Sequence, residues 1–261
     1  ESESRGLGDV YKRQQFDISE LWSHQETWNY WTFKRDSSVR KWTDLNNIKW
    51  NEPSQNGVIR DLKDRDGWSK NWHTKMKVDN FLPPEKLNKL NIKTEEVPKP
   101  KDISLNRIDF VNIQKGGRRE GLKLLDSFLV KRGKNYSREM SSPLTATNSC
   151  SRLSAHLSFG SLSIKEVFQA TEAKKKELKE LPKELKGNWI KSLNSFLGRL
   201  RWHCHFIQKL EDEPEIEFKN MHTSYDALRI NDFNDIFFEK WKTGNTGYPV
   251  SYTHLTLPTT D

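Results

Sequence analysis

The fold is decided by residues 149–163, which read SCSRLSAHLSFGSLS. Serines and Arg152 stand where a helix is expected to begin, and a helix start offers unpaired N–H groups and the positive end of the helix dipole. The planar guanidinium of Arg152 adds donors that suit phosphate oxygens. The pattern is compatible with a pyrophosphate site, although such a pattern more often marks only a capped helix with a nearby ion pair.

Helical patterns extend on both sides of this stretch. Apolar residues repeat at helical spacing in four places. These predicted helices cover residues 118–132, 151–159, 163–173 and 188–211. Ser163, followed by Glu166 three positions later, forms a capping-box pattern at one helix start. We therefore predict that residues 116–250 are mainly helical.

Residues 15–75 carry seven of the ten tryptophans and have a different pattern. A helix is predicted over residues 27–45 and a short strand over 48–50. Together they indicate a piece of an α/β unit that is too small to close a core by itself. Two interpretations of the tryptophans stay open: a platform for a sugar or a base, or side chains that pack against a further part of the domain. The second is favoured.

Residues 76–115 are predicted to form a linker between two domains, because four prolines interrupt any helix there. The two ends of the chain, residues 1–14 and 251–261, fit neither domain. Both resemble translated adapter sequence, so we expect them to be adapter-derived tails on a fragment of a longer protein.

Composition excludes several classes of protein. No run approaches the roughly 18 to 20 apolar residues that a membrane span needs. The two cysteines, Cys150 and Cys204, exclude a disulfide scaffold and suit a reducing, cytoplasmic location. The net charge of +8 is compatible with a polyanionic partner.

Known catalytic and metal motifs are absent from the sequence. It contains no P-loop, no G-x-G-x-x-G and no G-x-S-x-G pattern. His203, Cys204 and His205 do not predict a metal site, because successive residues on a helix point about 100° apart. No second cluster with zinc spacing follows them, so we predict no metal.

Residues 151–163 resemble the flavin-binding signature of the DNA photolyase/cryptochrome family. Further blocks agree with that family in order and approximate spacing. They are Gly116-Gly117, Tyr136 and the stretch FEKWKTGNTGYP at 238–249. Segments within residues 23–68 look like the closing part of the family's N-terminal α/β antenna domain. The resemblance covers most of residues 20–249.

The resemblance implies a mainly α fold. Residues 116–250 would be the N-terminal part of a photolyase-type helical FAD-binding domain, and residues 15–75 a remnant of an α/β Rossmann-like antenna domain. FAD is the implied cofactor. Its implied binding residues are Tyr136, Ser151, Arg152, Leu153, Ser154, Phe196, Arg199 and His203. The residues implied to face DNA are Arg199, Trp202 and His203. Catalytic residues stay unknown, because the groups that meet the flavin ring are expected after Pro249.

The resemblance also implies a function. The whole protein would be a light-dependent carbon–carbon lyase that repairs UV-induced pyrimidine photoproducts in DNA by electron transfer from reduced flavin. Damaged DNA is the implied partner, with no membrane and no obligate protein partner. An antenna chromophore of unspecified identity is expected in the full-length parent, and the fragment by itself is expected to be inactive.

Three positions depart from the family pattern. Phe196 stands where many repair enzymes have Trp, Arg199 where those that mend cyclobutane dimers often have Glu, and His203 where Arg is usual. These departures keep open a cryptochrome-type blue-light photoreceptor that does not repair DNA. A basic helical nucleic-acid binder without flavin is the third alternative.

Overall fold

The computed structural model describes residues 16–86, 96, 98–103, 113–228 and 230–248. The predicted tails at 1–14 and 251–261 lie outside these residues, as does much of the predicted linker. The described part is mainly helical, which confirms the predicted fold class.

A strand–helix–strand unit opens the described chain. Strand β1 (Glu20–Trp22) is followed by helix α1 (Tyr30–Leu45) and strand β2 (Lys49–Asn51). The strands pair in parallel, with Leu21 opposite Trp50. Parallel strands joined through a helix are typical of α/β folds. We call residues 16–60, which contain these three elements and the segments that flank them, the βαβ unit.

The remaining elements are helices. Helix α2 (Trp68–Lys77) follows the βαβ unit, and Pro100–Ile103 forms a 3₁₀ helix. The later helices are α3 (Arg118–Val130), α4 (Tyr136–Glu139), α5 (Ala146–Ser149), α6 (Ser154–Ser158), α7 (Ile164–Glu180), α8 (Lys183–Lys186), α9 (Trp189–Asp212) and α10 (Asp235–Lys242). Further 3₁₀ helices span Arg132–Asn135, Pro214–Glu217 and Thr223–Tyr225. All five predicted helices are present. Helices α1 and α6 each begin three residues later than predicted, and α7 continues past its predicted end.

Helix α9 lies at the centre of the apolar core. It packs against α7 and α4, and its buried face includes Leu193, Leu200 and Cys204. Trp72 and Met76 of α2 are buried in the same core. The core thus draws on residues from both sides of the predicted linker, while the predicted domain boundaries themselves stay predictions.

One buried amide ties the segment before α2 to α9. Gln208, which is fully buried, accepts from the N–H of Ile59 at 2.8 Å and from the indole Nε1 of Trp68 at 3.0 Å. Its Nε2 donates to the Ile59 carbonyl at 2.8 Å and to Asp212 at 2.7 Å. Because the amide meets both the N–H and the C=O of Ile59, it pairs with that residue as a neighbouring strand would.

Two features are absent from the described residues. None of their helices is both long and apolar enough to cross a lipid bilayer. Nor do three His, Cys, Asp or Glu side chains among them lie close enough together to hold a metal ion. Cys150 and Cys204 are both free thiols.

Candidate functional site

The turn before α6 has an uncommon backbone conformation. Arg152 has φ +59°, in the left-handed region that side chains other than glycine rarely adopt. Leu153 returns to the right-handed region with φ −93° and ψ −6°. Consecutive left- and right-handed residues aim successive N–H groups into one concavity that suits an anion. Among the described residues, nothing accepts a hydrogen bond from the N–H groups of Arg152, Leu153 or Ser154.

Two side chains hold the carbonyl groups of this turn. Arg132 donates from Nη1 to the Cys150 carbonyl and from Nη2 to the Ser151 carbonyl at 3.2 Å. Gln114 Nε2 donates to the Arg152 carbonyl at 2.8 Å. In a planar trans peptide the N–H points away from the preceding C=O. The N–H groups of Arg152 and Leu153 therefore point away from Arg132 and Gln114.

The side chains of the turn alternate between surface and core. Arg152 and Ser154 are exposed, Ser151 is half-buried, and Leu153 is buried. Leu153 can therefore reach a ligand only through its backbone N–H, whereas Arg152 and Ser154 can offer side-chain donors as well.

An aromatic cluster lies beside the turn. The ring of Tyr136 packs edge-on against two phenylalanine rings. Its centroid lies 5.8 Å from that of Phe196 and 5.6 Å from that of Phe128. Burial raises the pKa of the Tyr136 hydroxyl, with a further rise from Cys150, whereas Arg199 opposes it. The contact with Phe196 places Tyr136 beside α9. Phe128 connects it to the turn, because the Arg132 guanidinium that holds the turn lies 6.0 Å from the Phe128 ring centroid. Phe196 is buried within the cluster, so it supports the site from the core side.

The exposed face of α9 carries the remaining predicted residues. Arg199, Trp202 and His203 lie at spacings of three and four residues, which places them on one side of a helix. The guanidinium of Arg199 lies 5.1 Å from the centroid of the Trp202 ring. Part of the His203 side chain faces solvent, but the protein around it disfavours the charged form and lowers its pKa. Trp202 also lines a cavity of about 370 Å³.

The electrostatic character of the site is basic. Burial lowers the pKa of Arg132, and the neighbouring charge of Arg152 lowers it further. No carboxylate of the described residues pairs with Arg132 or Arg152. The exposed guanidinium of Arg152 and the outward-facing N–H groups fit a phosphate-bearing ligand such as FAD, and Arg132 adds a positive charge behind the turn.

The structure thus brings most of the predicted cofactor residues into one neighbourhood. Tyr136, Phe196 and the turn at 151–154 are linked through Phe128 and Arg132, and Arg199, Trp202 and His203 follow Phe196 along α9. Their roles toward a ligand stay predictions. Sequence reasoning did not find Arg132 or Gln114, because no local pattern shows that either side chain meets a carbonyl far along the chain.

Comparisons with known proteins show similarity to DNA photolyases. Residues 196–251 match the family model described as the FAD binding domain of DNA photolyase. A deoxyribodipyrimidine photo-lyase from Halobacterium salinarum is 28% identical over 100 residues, which are 38% of this chain and 19% of that protein. The chain is thus similar to DNA photolyases in this segment of its sequence. The family match confirms FAD as the cofactor of the domain that the chain carries in part.

Solved photolyase structures show the same fold. A class III photolyase from Agrobacterium tumefaciens superposes with a TM-score of 0.72 at 20% identity, over 95% of this chain and 52% of that one. An archaeal photolyase from Sulfolobus tokodaii, solved with two FAD molecules, gives a TM-score of 0.57 at 21% identity, over 87% and 47% of the two chains. The chain therefore spans about half the length of these photolyases and a smaller share of the curated one.

Proposed function

We propose that this chain is part of a light-dependent, FAD-containing DNA photolyase that splits UV-induced pyrimidine photoproducts. The observation that carries the proposal is the turn at 151–154, which directs unpaired N–H groups and the Arg152 guanidinium outward. The turn precedes residues 196–251, which match the FAD binding domain of DNA photolyase. The activity is proposed for the whole protein.

The turn would hold the diphosphate of FAD. The N–H groups of Arg152, Leu153 and Ser154 would donate to its oxygens, together with the Ser154 hydroxyl and the Arg152 guanidinium. Tyr136 would close the site from the side of the aromatic cluster, and Arg199 and His203 would approach the cofactor from α9. Reduced FAD, when bound, supplies the electron for the light-driven cleavage.

The exposed face of α9 would meet the damaged DNA. A pyrimidine lesion must leave the base stack to reach a cofactor inside the protein. Trp202 offers an exposed ring on which such a base can stack, and Arg199 supplies a positive charge for phosphates. We further propose a cytoplasmic location, on the strength of the two free thiols, and an antenna chromophore in the whole protein.

A light-dependent repair assay tests the proposal. The purified full-length parent protein, loaded with reduced FAD, is incubated with oligonucleotides that carry a cyclobutane dimer or a 6–4 product, in light and in the dark. Repair of either lesion in light alone supports the proposal. Trp202→Ala should reduce repair about fivefold to 150-fold while flavin absorbance is retained, because a stacked base contributes about 1–3 kcal/mol.

Other results would point elsewhere. Photoreduction of bound flavin without repair would favour a cryptochrome-type photoreceptor, which Arg199 and His203 already favour at the positions where repair enzymes often have Glu and Arg. Absence of flavin together with binding of DNA would favour a basic helical nucleic-acid binder. Arg119→Gln, an exposed arginine at the start of α3, is the control for loss of one positive charge.

A further inference from the structure

Arg132 is unusual because its charged guanidinium donates its hydrogen bonds only to uncharged groups among the described residues. It is half-buried in the 3₁₀ helix Arg132–Asn135 that follows α3. Besides the carbonyls of Cys150 and Ser151, its guanidinium donates to the Leu124 carbonyl at 3.0 Å and to the Ser127 hydroxyl at 3.0 Å. The donors of this side chain therefore join the last turns of α3 to the turn that precedes α6.

We propose that Arg132 is the positioning residue of the flavin-phosphate site: by holding the Cys150 and Ser151 carbonyls it fixes the turn with the N–H groups of residues 152–154 directed at the cofactor. Arg132 does not itself touch the cofactor in this arrangement. The inference rests on the proposed function, because it assigns Arg132 a role toward the phosphates of FAD.

The geometry explains why this position requires a guanidinium. The fork of an arginine offers five N–H donors in one plane, whereas a lysine ammonium offers three from a single atom. Four acceptors on two separate segments are reached here from three nitrogens of one side chain. The following residue is Gly133, where a Cβ would lie 2.6 Å from the Phe128 carbonyl, so the chain can make this close turn only with glycine.

The left-handed backbone of Arg152 is a second reason why the turn requires hydrogen bonds that stabilise its conformation. A non-glycine residue in this region is held there at a cost of about 1–3 kcal/mol. Three donors on the carbonyl side, two from Arg132 and one from Gln114, offset that cost. Without them, the turn would relax and the N–H groups would lose their common direction.

A comparison of two flavins separates positioning from general stability. FAD carries a diphosphate and riboflavin carries none, so only FAD reports on the turn. We expect Arg132→Gln to weaken FAD binding about tenfold to a hundredfold while riboflavin affinity changes less than about threefold. Arg132→Lys should rescue only part of the loss, and the control Arg119→Gln should match the wild type. Affinities are measured by quenching of flavin fluorescence.

A purely structural role predicts a different result. If FAD and riboflavin affinities fall together, in step with the melting temperature of the apoprotein, the proposal is overturned. Should the Arg132 variants fail to fold, Gln114→Leu removes the third holding donor from a half-buried position. It is expected to weaken FAD binding about threefold to tenfold without affecting riboflavin.

A second probe tests Arg132 independently of the proposed function. Inorganic pyrophosphate is titrated into the isotope-labelled chain, and the backbone amide signals of residues 152–154 are followed by NMR. Shifts in the wild type that are lost in Arg132→Gln support the positioning role, even if the repair assay fails. No shift in the wild type, or equal shifts in both proteins, would overturn it.

Discussion

In the βαβ unit Trp22, Trp28 and Trp31 each keep more than half of their surface exposed, at 66%, 61% and 54%, whereas Trp72 and Phe128 in the helical part are 1% and 0% exposed. The βαβ unit is instead crossed by charged contacts. Arg60 donates to the Glu26 carbonyl at 3.1 Å and pairs with Glu52 at 3.0 Å. The contrast indicates that burial of apolar side chains stabilises the helical part. In the βαβ unit, hydrogen bonds and ion pairs of charged side chains contribute a larger share of the stability.

The largest expected effect lies in the helical core. Phe128→Ala removes a ring that packs against Phe196 at 4.7 Å and against Tyr136. The substitution leaves a cavity that the surrounding side chains cannot fill completely. We therefore expect a loss of about 3–5 kcal/mol in the free energy of unfolding, measured by urea denaturation. Phe159→Ala, whose ring is 87% exposed, is the matched control and should change stability by less than about 0.5 kcal/mol. Similar losses in both variants would contradict the apolar account.

An intermediate effect is expected in the βαβ unit. Arg60→Met keeps much of the side-chain volume, but among the described residues it leaves the mostly buried Glu52 with Arg40 alone as an ion-pair partner. We expect a loss of about 1–3 kcal/mol, which becomes smaller as NaCl is added because salt weakens the ion pairs of the wild type. Thermal unfolding in low and high salt measures both. A loss that is independent of salt would assign the role of Arg60 to packing.

The smallest expected effect concerns pH. Burial lowers the pKa of His73, and the nearby positive charge of Arg201 adds to this. Above the pKa of the unfolded state, His73 is neutral in both states and has no effect on stability. As the pH falls from 7.5 to 5.5, the unfolded chain binds the proton more readily, so stability falls. We expect His73→Gln to flatten this fall by less than about 1 kcal/mol, measured by urea midpoints at both pH values. An unchanged slope would assign the pH dependence to other groups.

Local patterns in the sequence predict the helices well. The apolar repeat of 188–211 becomes α9, and Ser163 caps α7 by accepting from the N–H of Glu166 at 3.0 Å. The capping box is only half formed, because the Glu166 carboxylate instead binds Arg118 at 2.6 Å, and this contact lowers the pKa of Glu166. A helix start depends on adjacent residues, whereas the partner of a long side chain depends on the tertiary fold.

The candidate site was predictable only where the family resemblance reached it. The SRLS segment and Tyr136 come from that resemblance, and the structure links them through Phe128 and Arg132. Arg132 meets carbonyls 18 and 19 residues away, and Gln208 meets Ile59 across 149 residues. Contacts at such separations produce no periodic pattern in the sequence. The left-handed backbone at position 152 could not be predicted either, because the residue there is an arginine and not a glycine.

The four hydrogen bonds of Gln208 have a practical consequence for dissecting the molecule. A truncated chain that begins at the predicted helical domain, near residue 116, would lose Ile59 and Trp68, so the amide would be left without three of these bonds. It would also uncover the apolar surface that Trp72 and Met76 now cover, and such surface promotes aggregation. Recombinant versions of the helical part should therefore begin before Val58 if they are to remain monodisperse.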